Sequence, residues 1–300
     1  MDAVAQMKET DIQTILFPTM SAFMPLLEPH REEIMQARKT FKYGATDRHQ
    51  LDVYYPPQNG KKHPILVFVY GGGFVSGERT LPAPVDLGYG NLGLYFAKRG
   101  FVTIIPDYRL TPATTFPGPA EDIRDAISWA VAHSADLGPE ADIESLFLLG
   151  HSAGGVHALT LLLEPSILKS SPNLRIKGAA VGSACLHLKP KGLEVDIREP
   201  ANMYFGSPEA AKAHDPLGLF LAASPETIKA LPALAVITSE HDPEWYKVVA
   251  ADFEAALKEK SVPALQVLAE GHNHISFTWA LGTGQGEKWA EAIVAWMESL

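Results

Sequence analysis

The pentapeptide Gly150-His151-Ser152-Ala153-Gly154 directly follows the apolar run Leu146-Phe147-Leu148-Leu149. After it comes Val156-His157-Ala158-Leu159-Thr160-Leu161-Leu162-Leu163, with no glycine or proline until Pro165. The first run reads as a buried strand, the second as a helix that is apolar nearly all round. A G-x-S-x-G pattern between such elements constrains the fold. The serine sits on a sharp strand-to-helix turn with strained backbone angles, which flanking glycines allow. The turn pushes the hydroxyl past the sheet edge, and the helix aims its first N–H groups at whatever the serine attacks.

The rest of the chain supplies a sheet for that turn. In the N-terminal forty residues, apolar positions from Ile12 to Leu27 recur at helical spacing, and Pro18 and Pro25 are expected to divide them into short helices. Phe41 to Ala45 and Gln50 to Tyr55 read as an antiparallel hairpin, and Pro64 to Tyr70 as an apolar strand. Strands and helices then alternate to the closing helix, Lys288 to Met297. Alternation of this kind predicts the α/β class: a mostly parallel, twisted sheet of about eight strands flanked by helices. One connection, His187 to Ala230, is too long for a plain crossover and carries the aromatics Tyr204, Phe205 and Phe220. It reads as an inserted helical lid. Residues 41–186 and 231–300 are thus expected to form the core, and 1–40 and 187–230 a helical cap.

Charge and composition remove several function classes. A net charge of −10 argues against nucleic acid and anionic membrane surfaces as partners. No apolar run is long enough for a membrane span, and Met1 to Thr10 lacks the pattern of a secretory signal. The single cysteine, Cys185, allows no internal disulfide and fits a reducing compartment, so a cytoplasmic location is expected.

If Ser152 is a nucleophile, it needs a base, a group that orients the base, and donors for a developing oxyanion. Tyr70-Gly71-Gly72-Gly73-Phe74 ends the strand from Pro64 and exposes bare backbone N–H groups. Glu240-His241-Asp242-Pro243 follows a later strand and offers Asp242, with Glu240 as the rival. Gly271-His272-Asn273-His274 follows the last strand and offers His274, with His272 as the alternative base. The order serine, acid, histidine is one that this kind of site uses. His241, His272 and His274 are also a conceivable zinc set, but that reading leaves the serine turn and the glycine run unexplained. Cys185 and His157 read as packed residues, and Trp129, Trp279, Trp289 and Trp296 as core.

These blocks together resemble the α/β-hydrolase fold, in the hormone-sensitive-lipase-like carboxylesterase branch (the α/β hydrolase-3 group). The blocks are Tyr70 to Phe74, Asp107-Tyr108-Arg109-Leu110-Thr111-Pro112 with Phe116-Pro117, Glu121-Asp122 and Trp129, and Gly150 to Gly155; Asp242-Pro243 matches the acid loop. Tyr70 departs from the family's histidine before the glycines, and Glu244-Trp245-Tyr246 stands where a second acid is usual. The resemblance implies Ser152 as nucleophile, His274 as base and Asp242 as its orienter. It implies an oxyanion hole from Gly72, Gly73 and Ala153, and neither metal nor organic cofactor. The expected activity is serine carboxylesterase action on short- to medium-chain esters. An amidase, aryl-formamidase or feruloyl-type esterase with the same triad is the alternative, and a non-catalytic ligand receptor a more distant one. Phe74, His151, Tyr204, Phe205, Phe220 and Trp245, with the N-terminal apolar residues, are expected to line the substrate pocket. Look-alikes are commonly dimers, so a homodimer is one expectation, although no residue in the sequence points to one.

Overall fold

The computed structural model describes residues 1–171, 174–189, 191 and 198–300. Eight strands form one sheet: β1 (Arg38–Lys42), β2 (Gln50–Tyr54), β3 (His63–Val69), β4 (Val102–Pro106), β5 (Ala141–His151), β6 (Ile176–Gly182), β7 (Ala233–His241) and β8 (Ala264–Asn273). Their order is β1-β2-β4-β3-β5-β6-β7-β8. The β1–β2 and β2–β4 pairs are antiparallel, and every other pair is parallel. The expected hairpin is present, with its first strand starting at Arg38, so the sheet begins three residues before position 41.

The helices are α1 (Asp2–Ala5), α2 (Ile12–Leu27), α3 (Arg31–Gln36), α4 (Gly90–Ala97), α5 (Gly118–Ala132), α6 (Ala153–Leu163), α7 (Pro165–Lys169), α8 (Arg198–Phe205), α9 (Pro208–His214), α10 (Pro216–Ala222), α11 (Pro225–Lys229), α12 (Glu244–Glu259), α13 (Ser276–Trp279) and α14 (Lys288–Glu298). Helices on both faces explain why β3, β4 and β5 are apolar runs without alternation: Ile65 to Val69, Val102, Ile104, Ile105 and Leu146 to Leu149 are all buried.

The strand order fixes where a site can form. The chain leaves β3 toward β4 on one side, and returns to β5 on the other. That reversal opens a crevice at the carboxyl ends of β3 and β5. Pairing of Val69 with Gly150 and of Gly150 with Val181 brings the ends of β3, β5 and β6 to one level. The glycine run and the serine turn therefore leave adjacent strands side by side.

Two stretches differ from the sequence expectation. Helix α2 runs unbroken through Pro18 and Pro25. Each proline removes one backbone donor, yet Ile15, Thr19, Phe23 and Leu27, four residues apart, form a buried stripe that holds the helix. Asp11 caps its start, accepting from the Thr14 N–H at 2.9 Å and the Thr14 hydroxyl at 2.6 Å. In the long connection, residues 190 and 192–197 lie outside the described residues, and the remainder forms α8 to α11. Ser207-Pro208, Asp215-Pro216 and Ser224-Pro225 open α9, α10 and α11, with the polar side chain capping each and proline at the first helical position.

Candidate active site

Ser152 lies at the turn between β5 and α6 with φ 53° and ψ −125°, a region that side chains other than glycine avoid. Its N–H donates to the Gly182 carbonyl at 3.0 Å, and its carbonyl accepts from the Gly155 N–H at 3.0 Å. Gly154 is required by close approach. A Cβ there would stand 2.0 Å from the Val69 carbonyl oxygen and 2.4 Å from that of Tyr70. The first turn of α6 thus presses onto the end of β3, and the serine is wedged beside the glycine run.

Within that run Gly72 has φ +138°, and a Cβ on it would lie 2.0 Å from the Ser76 carbonyl oxygen. The Gly72 carbonyl accepts from Ser76 N–H at 3.0 Å and from the Ser76 hydroxyl at 2.8 Å, which closes the loop. Among the described residues, the N–H groups of Gly72, Gly73 and Ala153 donate to no protein acceptor. Tyr70 supports the loop from behind. Its ring stacks between Tyr89 and Tyr108, and its hydroxyl donates to Asp107 Oδ1 at 2.7 Å. Arg79 ion-pairs with Asp107, and Arg48 donates to the Tyr70 oxygen at 2.9 Å and to the Gly77 carbonyl at 2.8 Å. Burial, reinforced by Tyr108 and Asp107, pushes the Tyr70 hydroxyl well above its ordinary titration range, so it stays a donor.

The acid and base come from the ends of β7 and β8. His274 Nδ1–H donates to Asp242 Oδ1 at 3.0 Å, with both side chains buried. Asp242 Oδ2 accepts from the Ser183 hydroxyl at 2.6 Å and the Ser239 N–H at 3.1 Å. Asn273 folds the loop: its Oδ1 accepts from Ile275 N–H at 3.0 Å and Ser276 N–H at 2.8 Å, and its Nδ2 donates to Thr19 on α2 at 2.9 Å. His272 points elsewhere, with Nε2 2.6 Å from the Gly286 carbonyl and Nδ1 3.1 Å from the Ser276 hydroxyl. Burial holds it below its ordinary pKa. Glu240 accepts from the Gly271 N–H at 2.6 Å on the exposed side of the sheet. His151 donates Nε2–H to the His274 carbonyl at 2.9 Å. Burial, then the neighbouring His274, drives its pKa well below 6.5, so it stays neutral. Ser152 and His274 open onto the same cavity without a mutual hydrogen bond, a contact that commonly closes only around substrate.

That cavity holds about 510 Å³. Gly71 to Gly73, His151, Ser152 and His274 form its floor; Ile12, Gln13, Leu16 and Met20 of α2 form one wall; Leu81, Tyr89, Pro200, Tyr246 and Trp279 are among the rest. Of the six expected pocket residues only His151 lines it. Phe74 and Tyr204 stack on each other at 4.6 Å, with Phe205 and His157 edge-on, so these rings anchor α8 to the core. Phe220 packs on Phe253, and Trp245 stacks on Tyr246 at 3.7 Å, which leaves Tyr246 as the ring facing the cavity. Asn273, Ser183 and Ser239 were invisible to motif reasoning because they act through polar contacts between strand ends. The α2 wall was announced by its apolar spacing. His241, His272 and His274 do not converge: among the described residues no group of three His, Cys, Asp or Glu side chains is arranged to hold a metal. Nor, among them, is any helix long and apolar enough to cross a membrane.

Residues 51–167 match the BD-FAE family, a stretch that includes the glycine run and Ser152 but ends before Asp242 and His274. A probable isoprenylcysteine alpha-carbonyl methylesterase of Oryza sativa subsp. japonica is 26% identical over 255 residues, covering 80% of this chain and 58% of that protein. Tuliposide A-converting enzyme 2, chloroplastic, of Tulipa gesneriana is 31% identical over 173 residues, covering 52% of this chain and 42% of that protein. The chain therefore spans about half the length of these curated relatives. Among solved structures, esterase B from Lactobacillus rhamnosis superposes with a TM-score of 0.72 at 15% identity, covering 97% and 96% of the two chains. The hyperthermophilic esterase from Pyrobaculum calidifontis gives 0.70 at 21% identity, covering 99% and 96%. Both likenesses concern the fold.

Proposed function

We propose that this chain belongs to the hormone-sensitive-lipase-like α/β hydrolases and hydrolyses carboxylic esters through an acyl-enzyme on Ser152. One observation carries the reading. A serine at a strained strand-to-helix turn, the histidine of a buried His–Asp pair and the Gly72 and Gly73 backbone line a single cavity at the sheet's switch point, with Ala153 next to the serine. The Ser152 oxygen attacks the ester carbonyl while His274 Nε2 takes its proton. Asp242 holds Nδ1–H, which fixes the tautomer and stabilises the imidazolium. The oxyanion is received by the N–H groups of Gly72, Gly73 and Ala153, the last also at the N-terminus of α6. His274 returns the proton to the departing alcohol, and water then cleaves the acyl-enzyme with the same residues in the same roles.

The cavity size suits short- to medium-chain esters, with the N-terminal helices and α8 to α11 as the cap, of which α2 and Pro200 of α8 line the cavity. The test is an assay on p-nitrophenyl esters of graded chain length. Ser152→Ala and His274→Ala are expected to lose at least ~10⁴-fold in kcat, and His272→Ala to retain most activity. Full activity in Ser152→Ala sinks the reading; activity lost only in His272→Ala moves the base by two residues.

A further inference from the structure

We infer that Ser183 is a positioning residue for this reaction, whose hydroxyl sets the rotation of the Asp242 carboxylate that presents Oδ1 to His274. The inference rests on the reading of Ser152, His274 and Asp242 given above. Ser183 follows the last residue of β6 and is buried, with φ 46°. A glycine would hold that left-handed backbone without strain, whereas a serine there is unfavourable unless its side chain is needed.

The side chain has a defined task. The Ser183 hydroxyl has one proton, and its shortest contact is to the carboxylate, Asp242 Oδ2 at 2.6 Å. The Ser239 hydroxyl, 2.9 Å from the Ser183 oxygen, is then the donor in that second contact, giving a relay Ser239 to Ser183 to Asp242. The last torsion of an aspartate is broad and nearly two-fold, so the backbone of β7 alone leaves the carboxylate free to turn. Two donors on Oδ2, the Ser183 hydroxyl and the Ser239 N–H, fix its plane. Oδ1 is left for His274 Nδ1–H.

The segment also braces the nucleophile. The Gly182 carbonyl accepts from the Ser152 N–H at 3.0 Å, and the Ser183 N–H donates to the Ile237 carbonyl on β7 at 2.9 Å. Two consecutive residues at the end of β6 thus bind the serine turn on one side and the acid on the other. Any shift of this segment displaces both partners of the histidine, which lies between them in the cavity floor.

The test uses the full chain and p-nitrophenyl butyrate, with Ser183→Gly, Ser183→Ala, Ser239→Ala and Ser152→Ala beside the wild type. Ser183→Gly keeps the backbone conformation and removes only the hydroxyl. Loss of a hydrogen bond to a charged group predicts a roughly 10- to 100-fold fall in kcat, equal in the glycine and alanine variants, with KM within about twofold of wild type. The glycine variant melts above the alanine variant, because it relieves the backbone strain, although it is no faster. Ser239→Ala keeps its N–H and loses less than either. If Ser152→Ala is inactive but Ser183→Gly has wild-type kcat, or loses only in KM, the role of Ser183 is overturned by itself. If Ser152→Ala is active, the underlying reading fails first.

Discussion

The carboxyl ends of β3, β5, β6 and β7 and the helices that cover them are held by different kinds of force. At the strand ends hydrogen bonds tie the acid and the serine turn to their neighbours: Ser152 to Gly182, Ser183 to Ile237 and Asp242, and Asp242 to Ser239 and His274. The covering helices are held mainly by rings and caps. Phe74 stacks on Tyr204, Phe116 on His214, and Lys260 donates to the Phe220 and Leu221 carbonyls at the end of α10. Hydrogen bonds are directional and fix atoms; ring packing tolerates small shifts. The chemistry therefore rests on the rigid part, and the walls that choose the ester rest on the part that can be remodelled.

The largest effect that would sharpen this contrast is expected from Gly72→Ala. Its Cβ must displace the Ser76 carbonyl at a backbone angle alanine avoids, and the open N–H groups move with it. A fall of about 10³-fold in kcat is expected, with the fold intact by circular dichroism. Phe74→Ala strikes the ring cluster beneath α8 and should destabilise the protein by about 3–5 kcal/mol in urea unfolding. If it left stability unchanged, the covering helices would not depend on that cluster.

A third comparison sets one buried aspartate against another. Asp242 faces a histidine and a hydroxyl, whereas Asp215 caps α10 and, among the described residues, accepts from the backbone N–H groups of Gly218 and Leu188. Burial pushes Asp215 up to about 7. Since that lies above its unfolded value of 3.8, the folded protein binds more protons than the unfolded chain between these pH values. Stability conferred by the protonated form is then present at low pH and lost as pH rises toward 7. Asp215→Asn keeps an acceptor for the cap and removes the charge. It should abolish a decline on the order of 2 kcal/mol between pH 5 and 8, measured as Tm against pH. An unchanged pH slope would exclude Asp215 as its source. The smallest effect is expected from Met20→Ala on the α2 wall: a several-fold rise in KM for the longer esters, about 1 kcal/mol, with little change in kcat.

Much of the active end was legible because short-range sterics dictate it. Gly72 and Gly73 take positive φ angles that glycine adopts without strain, so that run is readable from local sterics, whereas Gly154 is fixed by the approach of β3, and its place in the pentapeptide rather than its own backbone made it readable. The failures were of another kind. Pro18 and Pro25 signal a break, but the buried stripe of α2 outweighs two missing donors. Tyr204, Phe205, Phe220 and Trp245 are rings in a covering segment, and no periodicity tells a ring that packs inward from one that faces a cavity.

By itself the sequence determined the fold class, the serine turn, the glycine run and the narrow choices of acid and base, because apolar periodicity and backbone sterics act over a few residues. Tertiary structure alone decided that His274 rather than His272 meets Asp242 and that Ser183 reaches Oδ2. Each of these depends on the register of strands far apart in the chain, and register follows from the packing of the whole sheet.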